Sequence, residues 1–555
     1  MSSATAGWLQ AALLVAALAA CYVPLGNYMA RIFTSEKDSR VESGIYKLIG
    51  VNPKNDQKWS AYARSMLAFS LISVLFLYGL ERLQHYLLGF VGTNMAAVTT
   101  DTAWNTAVSF VTNTNWQNYA GENTMNYLTQ MTGLAVQNFM SAAVGIVVAI
   151  ALIRGFMRSR TNNLGNFWVD ITRCVLRLLL PIAVVGGLIF AAGGVVDNFV
   201  TYHTITTLSG AHQSVVGGPF ASQEVIKDLG NNGGGPFNTN SAHPYENPNP
   251  FTNVFTIFLL LLIPFATPRA FGKMIKDNRQ GYALVAAMGA IWAAAVGGIS
   301  FFQSQAAGAA NILAHGAMEG VETRFGDAGC SLFAASTTVT STGSVNCFHD
   351  SLTTFGGGIA LFDIALGEIA PGGVGAGMYG ILVLAMITVF VAGLMVGRTP
   401  EYIGKKIRPT EMKYAALYFL VLPVVILTAA GLSIGTHEGQ AAIFNPGPHG
   451  LTEVVYAFAS MANNNGSAFA GLGTGAMWYQ VSGGIVMLLG RFAPEIFALG
   501  LAGSLARQQP VPVSAGTLDT RTPLFVGMLI AVILILVGLT YFPALALGPF
   551  AEGLH

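Results

Sequence analysis

Residues 460–473, "SMANNNGSAFAGLG", place three asparagines, a glycine and a serine between two long apolar stretches. Backbone that is not helical tolerates membrane depth only where protein buries it or a water-filled cavity receives it. The knot therefore needs a reason, and three relatives supply one. The four polar knots are Asn113-Thr114-Asn115-Trp116-Gln117, Asn231-Asn232-Gly233-Gly234-Gly235, Ser341-Thr342-Gly343-Ser344-Val345 and Asn463-Asn464-Asn465-Gly466-Ser467. Each follows a short amphipathic stretch, and each lies between two long apolar segments. This is an internal repeat of four units, weak in identity and strong in pattern.

The rest of the chain agrees with a membrane setting. Of 555 residues, 53% are hydrophobic and only 10% charged, against about 25% charged in a typical soluble domain. The mean hydropathy is +0.55. Long apolar segments recur near residues 7–30, 61–82, 126–154, 169–193, 251–270, 281–302, 376–397, 413–435, 476–505 and 523–545. Ten transmembrane helices are expected. The first apolar run has no Lys or Arg before Arg31. It lacks the positive n-region of a secretory signal and is read as an uncleaved first span.

Basic residues cluster at 31–64, 154–177, 269–279, 398–413 and 491–521, leaving only Arg82, Lys227 and Arg324 outside. On the ten-span map all five clusters share one side, which the positive-inside rule makes cytoplasmic. Both termini are then expected outside. The outer face carries carboxylates such as Asp101, Glu122, Glu224, Asp228, Glu246 and Asp350, which concentrate cations locally. The net charge of +1 and the lack of a basic-aromatic patch give no sign of nucleic acid as a partner.

Four equivalent irregular loops can converge on one axis, where backbone carbonyls replace the hydration shell of a bare cation. Such loops need unusual φ/ψ values. Glycine reaches them freely and asparagine more readily than most residues. The stretch "FGGGIALFDIALGEIAPGGVG", residues 355–375, has seven glycines, with Asp363 and Glu368 among them. It is expected to break the helix after the third knot and to form an intramembrane gating loop rather than an external one. Arg491 falls within the apolar segment 476–505. A helix-end arginine reaching the interface is one reading; the preferred one is a positive charge in the vestibule under the loops.

Other chemistry finds little support. No nucleotide-binding P-loop or phosphorylation motif occurs, and "GLSIG" at 431–435 closes an apolar helix instead of following a strand. His349-Asp350 has no third ligand at suitable spacing, so neither a metal site nor a catalytic dyad is expected there. Cys21, Cys174, Cys330 and Cys347 form no close pair. Cys330 and Cys347 fall near one mouth of the protein, and free thiols are favoured over a bridge between them.

The segments "TNTNWQNYAGE" (112–122), "NNGGGPFNTNSAHPYENPNPFTN" (231–253), "STTVTSTGSVNCFHDS" (336–351), "GLMVGRTPEYIGKKI" (393–407) and "ANNNGSAFAGL" (462–472) resemble the potassium-binding A subunits of the bacterial Kdp potassium pump. The resemblance covers essentially the whole chain. It implies an all-α polytopic fold of ten transmembrane helices, with four helix–pore loop–helix repeats around one pore, as in the superfamily of potassium transporters. The units are then residues 1–33, a first spanning helix; 60–160, 165–278, 280–408 and 411–507, the four pore repeats, the third with its second helix interrupted; and 520–555, a last spanning helix.

Carried onto this sequence, the resemblance implies a K+ filter at Asn113, Thr114, Asn231, Asn232, Gly233, Ser341, Thr342, Gly343, Asn464, Asn465 and Gly466. Gating is expected from Gly356, Gly357, Gly358, Asp363, Glu368 and Arg491. Many relatives have cysteine where this chain has Thr342, and the first knot has no glycine. The implied function is selective binding of external K+ and its passage inward, as the non-hydrolytic subunit of an ATP-driven high-affinity pump with no nucleotide on this chain. The implied partners are the other members of the Kdp complex, namely its P-type ATPase (the B component), its C component and its small F component, together with membrane lipid, in the bacterial cytoplasmic (inner) membrane. The alternative is a stand-alone K+ channel or an ion-coupled K+ symporter of the same superfamily.

Overall fold

A computed structural model describes residues 3–87, 95–200, 202–305, 309–314, 316–367, 369–395, 397, 400–512 and 517–554. Ten helices among these residues are long and apolar enough to cross a membrane, as the hydropathy pattern predicts. Proline at the first helical position starts Pro250–Met274, Pro409–Gly435 and Pro523–Leu545, and also the shorter Pro448–Ala462. Its fixed φ and missing N–H suit a first turn whose N–H groups have no helical partner.

Burial sorts the spans. In Thr129–Met157, Pro250–Met274, Ala376–Met395 and Met477–Arg507, 83, 78, 67 and 61% of the most apolar window is buried, whereas in the other six no more than 39% is. The four inner helices are hydrophobic around most of their circumference because protein, not lipid, surrounds them. Each inner helix is preceded by an outer one: Trp59–Leu83, Phe167–Ala192, Asn278–Ser304 and Pro409–Gly435. Between the outer helices and the inner ones sit four short helices: Thr100–Val111, Phe220–Leu229, Gly326–Val339 and Pro448–Ala462. The remaining spans are Ser3–Thr34, packed on Pro250–Met274, and the C-terminal Pro523–Leu545, packed on Asn278–Ser304.

The third unit departs from the others, though not along the whole glycine-rich stretch. Residues Thr354–Leu366 are helical, so Gly356, Gly357, Gly358 and Asp363 lie in a helix and not in a loop. The helix ends at Leu366, and among the described residues of 367–375 none is helical ahead of the inner helix Ala376–Met395. Glu368 lies outside the described residues. Glycine alone costs a helix only about 1 kcal/mol, and burial of Ala360, Leu361 and Ile364 readily offsets it. Pro371 and Gly372, with φ +69°, keep the chain out of helix ahead of Ala376.

Free thiols at Cys330 and Cys347 were the sequence expectation; the structure joins them in a disulfide of S–S 2.07 Å. Cys330 is in the third short helix, and Cys347 pairs with Val321 in an isolated bridge beyond the third knot. The chain turns back on itself there and brings the two Cα atoms to 5.7 Å, within bonding range. The three cations outside the basic clusters also find local partners. Lys227 is fully buried between Glu224, at 2.6 Å, and Glu246. Arg324 donates to the Ala242 carbonyl at 2.6 Å, and Arg82 to that of Val98.

Candidate functional site

The four knots adopt the same backbone course. Each begins with a residue at positive φ: Asn113 (67°), Asn231 (50°), Ser341 (51°) and Asn464 (51°). Two residues later comes a second: Asn115 (54°), Gly233 (81°), Gly343 (83°) and Gly466 (99°). The residue between them donates its N–H back into the last turn of the short helix. These bonds are Thr114 to Ser109 at 2.9 Å, Asn232 to Lys227 at 2.8 Å, Thr342 to Thr337 at 3.0 Å and Asn465 to Ser460 at 2.8 Å. They cap the carbonyl ends of the four short helices.

This register shows which residues correspond. The fourth equivalent position starts at Asn464, the residue with which the expected filter segment also starts. In the first loop Asn115 stands where the others have glycine; the sequence reading places it in the knot but not among the filter residues. Asparagine visits the left-handed region far more readily than β-branched residues do, so "NTN" does the work of "NNG" or "STG". Asn115→Gly is accordingly expected to hold the apparent potassium affinity within a few-fold, the residual loss coming from its 2.7 Å hydrogen bond to Asn138. Asn115→Val should weaken it by about tenfold or more, since β-branching is incompatible with φ > 0. Potassium-dependent uptake in the two variants measures the difference.

The loops touch in a closed ring. Asn113 Nδ2 donates to the Asn231 carbonyl at 2.9 Å, Asn231 Nδ2 to Thr342 Oγ1 at 2.8 Å, and Asn464 Nδ2 to Thr114 Oγ1 at 2.8 Å. Asn465 Nδ2 donates to the Thr337 carbonyl of the third repeat at 3.0 Å. The glycines are where neighbouring backbones meet. A Cβ on Gly233 would stand 2.0 Å from the Thr342 carbonyl oxygen, one on Gly343 2.1 Å from that of Asn465, and one on Gly466 2.0 Å from that of Thr114. The first and second loops meet at Asn115 and Gly234. Thr342 Oγ1 also lies 2.6 Å from Thr340 Oγ1, just as Thr114 lies 2.8 Å from Thr112. The hydroxyl thus braces the loop.

The ring is buried and rich in oxygen. Asn231, Asn232, Thr342 and Asn465 are inaccessible to solvent. The side-chain oxygens of Asn115, Asn231, Asn232, Ser341 and Asn464 have no hydrogen-bond partner among the described residues. Leaving a buried acceptor unmatched costs about 1–3 kcal/mol, so a concentration of them suits a cation.

Behind the second loop, Asn240 Nδ2 donates to the Gly233 carbonyl at 2.6 Å, and its Oδ1 accepts from Lys227 at 3.2 Å. From sequence Lys227 stands out only as a cation outside the basic clusters, and Asn240 not at all. The 224–228 pattern Glu-x-x-Lys-Asp on a short helix was the available signal, since charges three apart share a helix face.

The segment 367–375 and Arg491 come together. The Gly372 N–H donates to the Val339 carbonyl at 2.9 Å. A Cβ on Gly373 would stand 3.1 Å from the Thr340 carbonyl, so the segment packs against the base of the third loop. Its end reaches Gly145 of an inner helix, where a Cβ would meet the Val374 carbonyl at 2.6 Å and Arg491 Nη2 at 2.8 Å. Arg491 is buried, not at an interface. It donates to the Ser141 carbonyl at 3.2 Å and pairs through Nε with Glu495 at 2.8 Å. Ser141 Oγ in turn donates to Asn113 Oδ1 in the first loop at 2.8 Å. Asp363 accepts from Thr338 of the third short helix at 3.2 Å.

Residues 12–554 match the family model described as Potassium-transporting ATPase A subunit. The chain is 57% identical to a protein of Mycolicibacterium smegmatis and 57% to one of Streptomyces coelicolor, with 100% of both chains covered in each case. Both relatives are named potassium-transporting ATPase potassium-binding subunit. Among solved structures, the potassium transporter TrkH from Vibrio parahaemolyticus is similar in fold, with a TM-score of 0.52 and 16% identity over 78% of this chain and 83% of that one.

Proposed function

The chain belongs to the family of potassium-transporting ATPase A subunits, and from that premise we propose that it selects K+ from outside and passes it inward as the potassium-binding subunit of an ATP-driven import pump. The ring closed by Asn113–Asn115, Asn231–Gly233, Ser341–Gly343 and Asn464–Gly466 carries this reading. Four short helices end at one place, and four equivalent backbones replace water around the ion. Residues 367–375, with Arg491 and Glu495, act as the barrier to direct exit. Hydrolysis of ATP belongs to the P-type ATPase of the Kdp complex, its B component, and the C and F components complete the assembly in the bacterial cytoplasmic membrane.

Uptake of radioactive rubidium or potassium into liposomes tests this. Uptake is expected to need the partner proteins and ATP. Rapid flux through the chain alone, unaffected by partners or ATP, would instead establish the stand-alone channel.

The orientation has its own test. Asn55 and Asn278, both exposed, are assigned to the cytoplasmic side, and Thr207 and Gln440 to the outside. Because Cys330 and Cys347 are bridged, only Cys21 and Cys174 are free and need replacing. In that background, Thr207→Cys and Gln440→Cys should react with an impermeant maleimide in intact cells, while Asn55→Cys and Asn278→Cys should stay shielded. The reverse pattern would invert the protein.

A further inference from the structure

His449 is the second residue of the short helix Pro448–Ala462, and Glu453 lies one turn further along. Asp350 belongs to the turn His349–Ser351 that follows the third loop, and Glu552 to the chain's last helical turn. These four residues come from widely separated parts of the sequence, yet they meet. His449 Nε2 lies 3.0 Å from Asp350 Oδ1 and 3.8 Å from Glu453 Oε1. Its other ring nitrogen, Nδ1, lies 3.0 Å from Glu552 Oε1.

We propose that a carboxylate oxygen of Asp350, His449 Nε2 and the carboxylate of Glu453 form a site for a divalent metal ion of the zinc class at the start of the fourth short helix. One ligand atom from each of the three residues lies within 4.8 Å of those from the other two. A tetrahedral ion with bonds of about 2.0–2.2 Å spaces its ligands by roughly 3.3–3.6 Å, between the two distances measured from Nε2. Imidazole with two carboxylates suits Zn2+ better than K+ or Mg2+, which take oxygen almost exclusively.

A separate observation points to a ligand. Glu453 is wholly buried, and its Oε2 has no hydrogen-bond partner among the described residues. An ionised carboxylate left so is costly unless a cation shares the site.

The surroundings match a metal site as well. Glu552 on Nδ1 selects the tautomer whose Nε2 lone pair is available, as carboxylates do behind metal-binding histidines. Asn445 Nδ2 orients Glu453 by donating to Oε1 at 2.5 Å. The nearby pair His349-Asp350 offered no third ligand by spacing. The fold supplies ligands from another repeat. A bound ion would tie the segment after the third loop to the helix that carries the fourth, joining two sides of the ring.

The test uses the chain purified with its partner proteins, treated with chelator and titrated calorimetrically with ZnCl2. One Zn2+ per assembly is expected to bind in the unmodified protein and to be lost in His449→Ala. Co2+ in its place should give ligand-field bands that vanish in the same variant. Glu453→Gln should weaken Zn2+ binding by about tenfold or more, and Glu552→Gln, which spares all three ligands, by about tenfold. Failure of the unmodified protein to bind Zn2+ at micromolar concentrations would overturn the proposal and identify the cluster as an imidazolium held between carboxylates. Binding that is the same in His449→Ala and Glu453→Gln as in the unmodified protein would overturn it too.

Discussion

Gly343→Ala is expected to raise the potassium concentration needed for half-maximal uptake by about tenfold or more, and to let other alkali cations compete. Two effects combine at this residue. Its φ of +83° costs a residue with a Cβ roughly 1–2 kcal/mol. The added carbon would also stand 2.1 Å from the Asn465 carbonyl oxygen and 2.8 Å from its carbon, too close for any real contact, so one of the two backbones must move. A loss of about 1.4 kcal/mol in ion binding is already tenfold.

Gly233→Asp should be at least as severe. The same clash arises against Thr342, at 2.0 Å, and a negative charge is added to a site shaped by neutral oxygens. Gly431→Ala is the control, since its Cβ would meet nothing within 4 Å; uptake should be unchanged. Uptake kinetics with K+, Rb+ and NH4+ as competing ions measure all three. Wild-type affinity and selectivity in both Gly343→Ala and Gly233→Asp would remove the ring from the filter role.

Arg491→Gln is expected to open a passive potassium leak and to lower the number of ions moved per ATP. A pump must block the direct path from its filter to the cytoplasm, or the gradient dissipates. The positive charge of Arg491 is half of a buried pair with Glu495, at 2.8 Å. This sharpens the expectation. Removing the guanidinium also leaves Glu495 uncompensated, and at an effective dielectric of about 20 a unit charge at 4 Å is worth about 4 kcal/mol. A barrier then becomes an attractor for K+.

The double variant Arg491→Gln/Glu495→Gln restores neutrality and should leak less than the single one. Substitution in the adjoining segment tests the same barrier. Gly375→Val would drive a side chain into the Gly145 backbone, 2.1 Å away, and should shift the segment from its seat. Selectivity between K+ and Na+ should survive in all of these, because none alters the ring. Flux into ATP-free liposomes and ATPase-coupled uptake are the measurements. If Arg491→Gln and Gly375→Val assemble normally, stay fully coupled and leak no more than wild type, the exit barrier lies elsewhere.

Much of this protein was legible in the linear chain because its rules are local. Hydrocarbon cannot hydrogen-bond a backbone, so each crossing must be a long apolar helix, and ten of them stand out by composition alone. A loop that must adopt positive φ selects glycine or asparagine at that residue, whatever surrounds it, which is why the four knots could be recognised without contacts.

What distance along the chain conceals, only packing decided. The equivalence of Asn115 with Gly233, Gly343 and Gly466 follows from four backbones lying side by side. The same holds for the shortening of the break to 367–375, where helix burial outweighs glycine's weak preference. The pairing of Arg491 with Glu495, the Cys330–Cys347 bridge and the meeting of Asp350, His449 and Glu453 depend on how helices and loops are set against one another. Residue types determine what each segment is able to do by itself. Which segments meet, and therefore which charges are paired and which oxygens face one another, is determined by the free energy of the whole packed bundle.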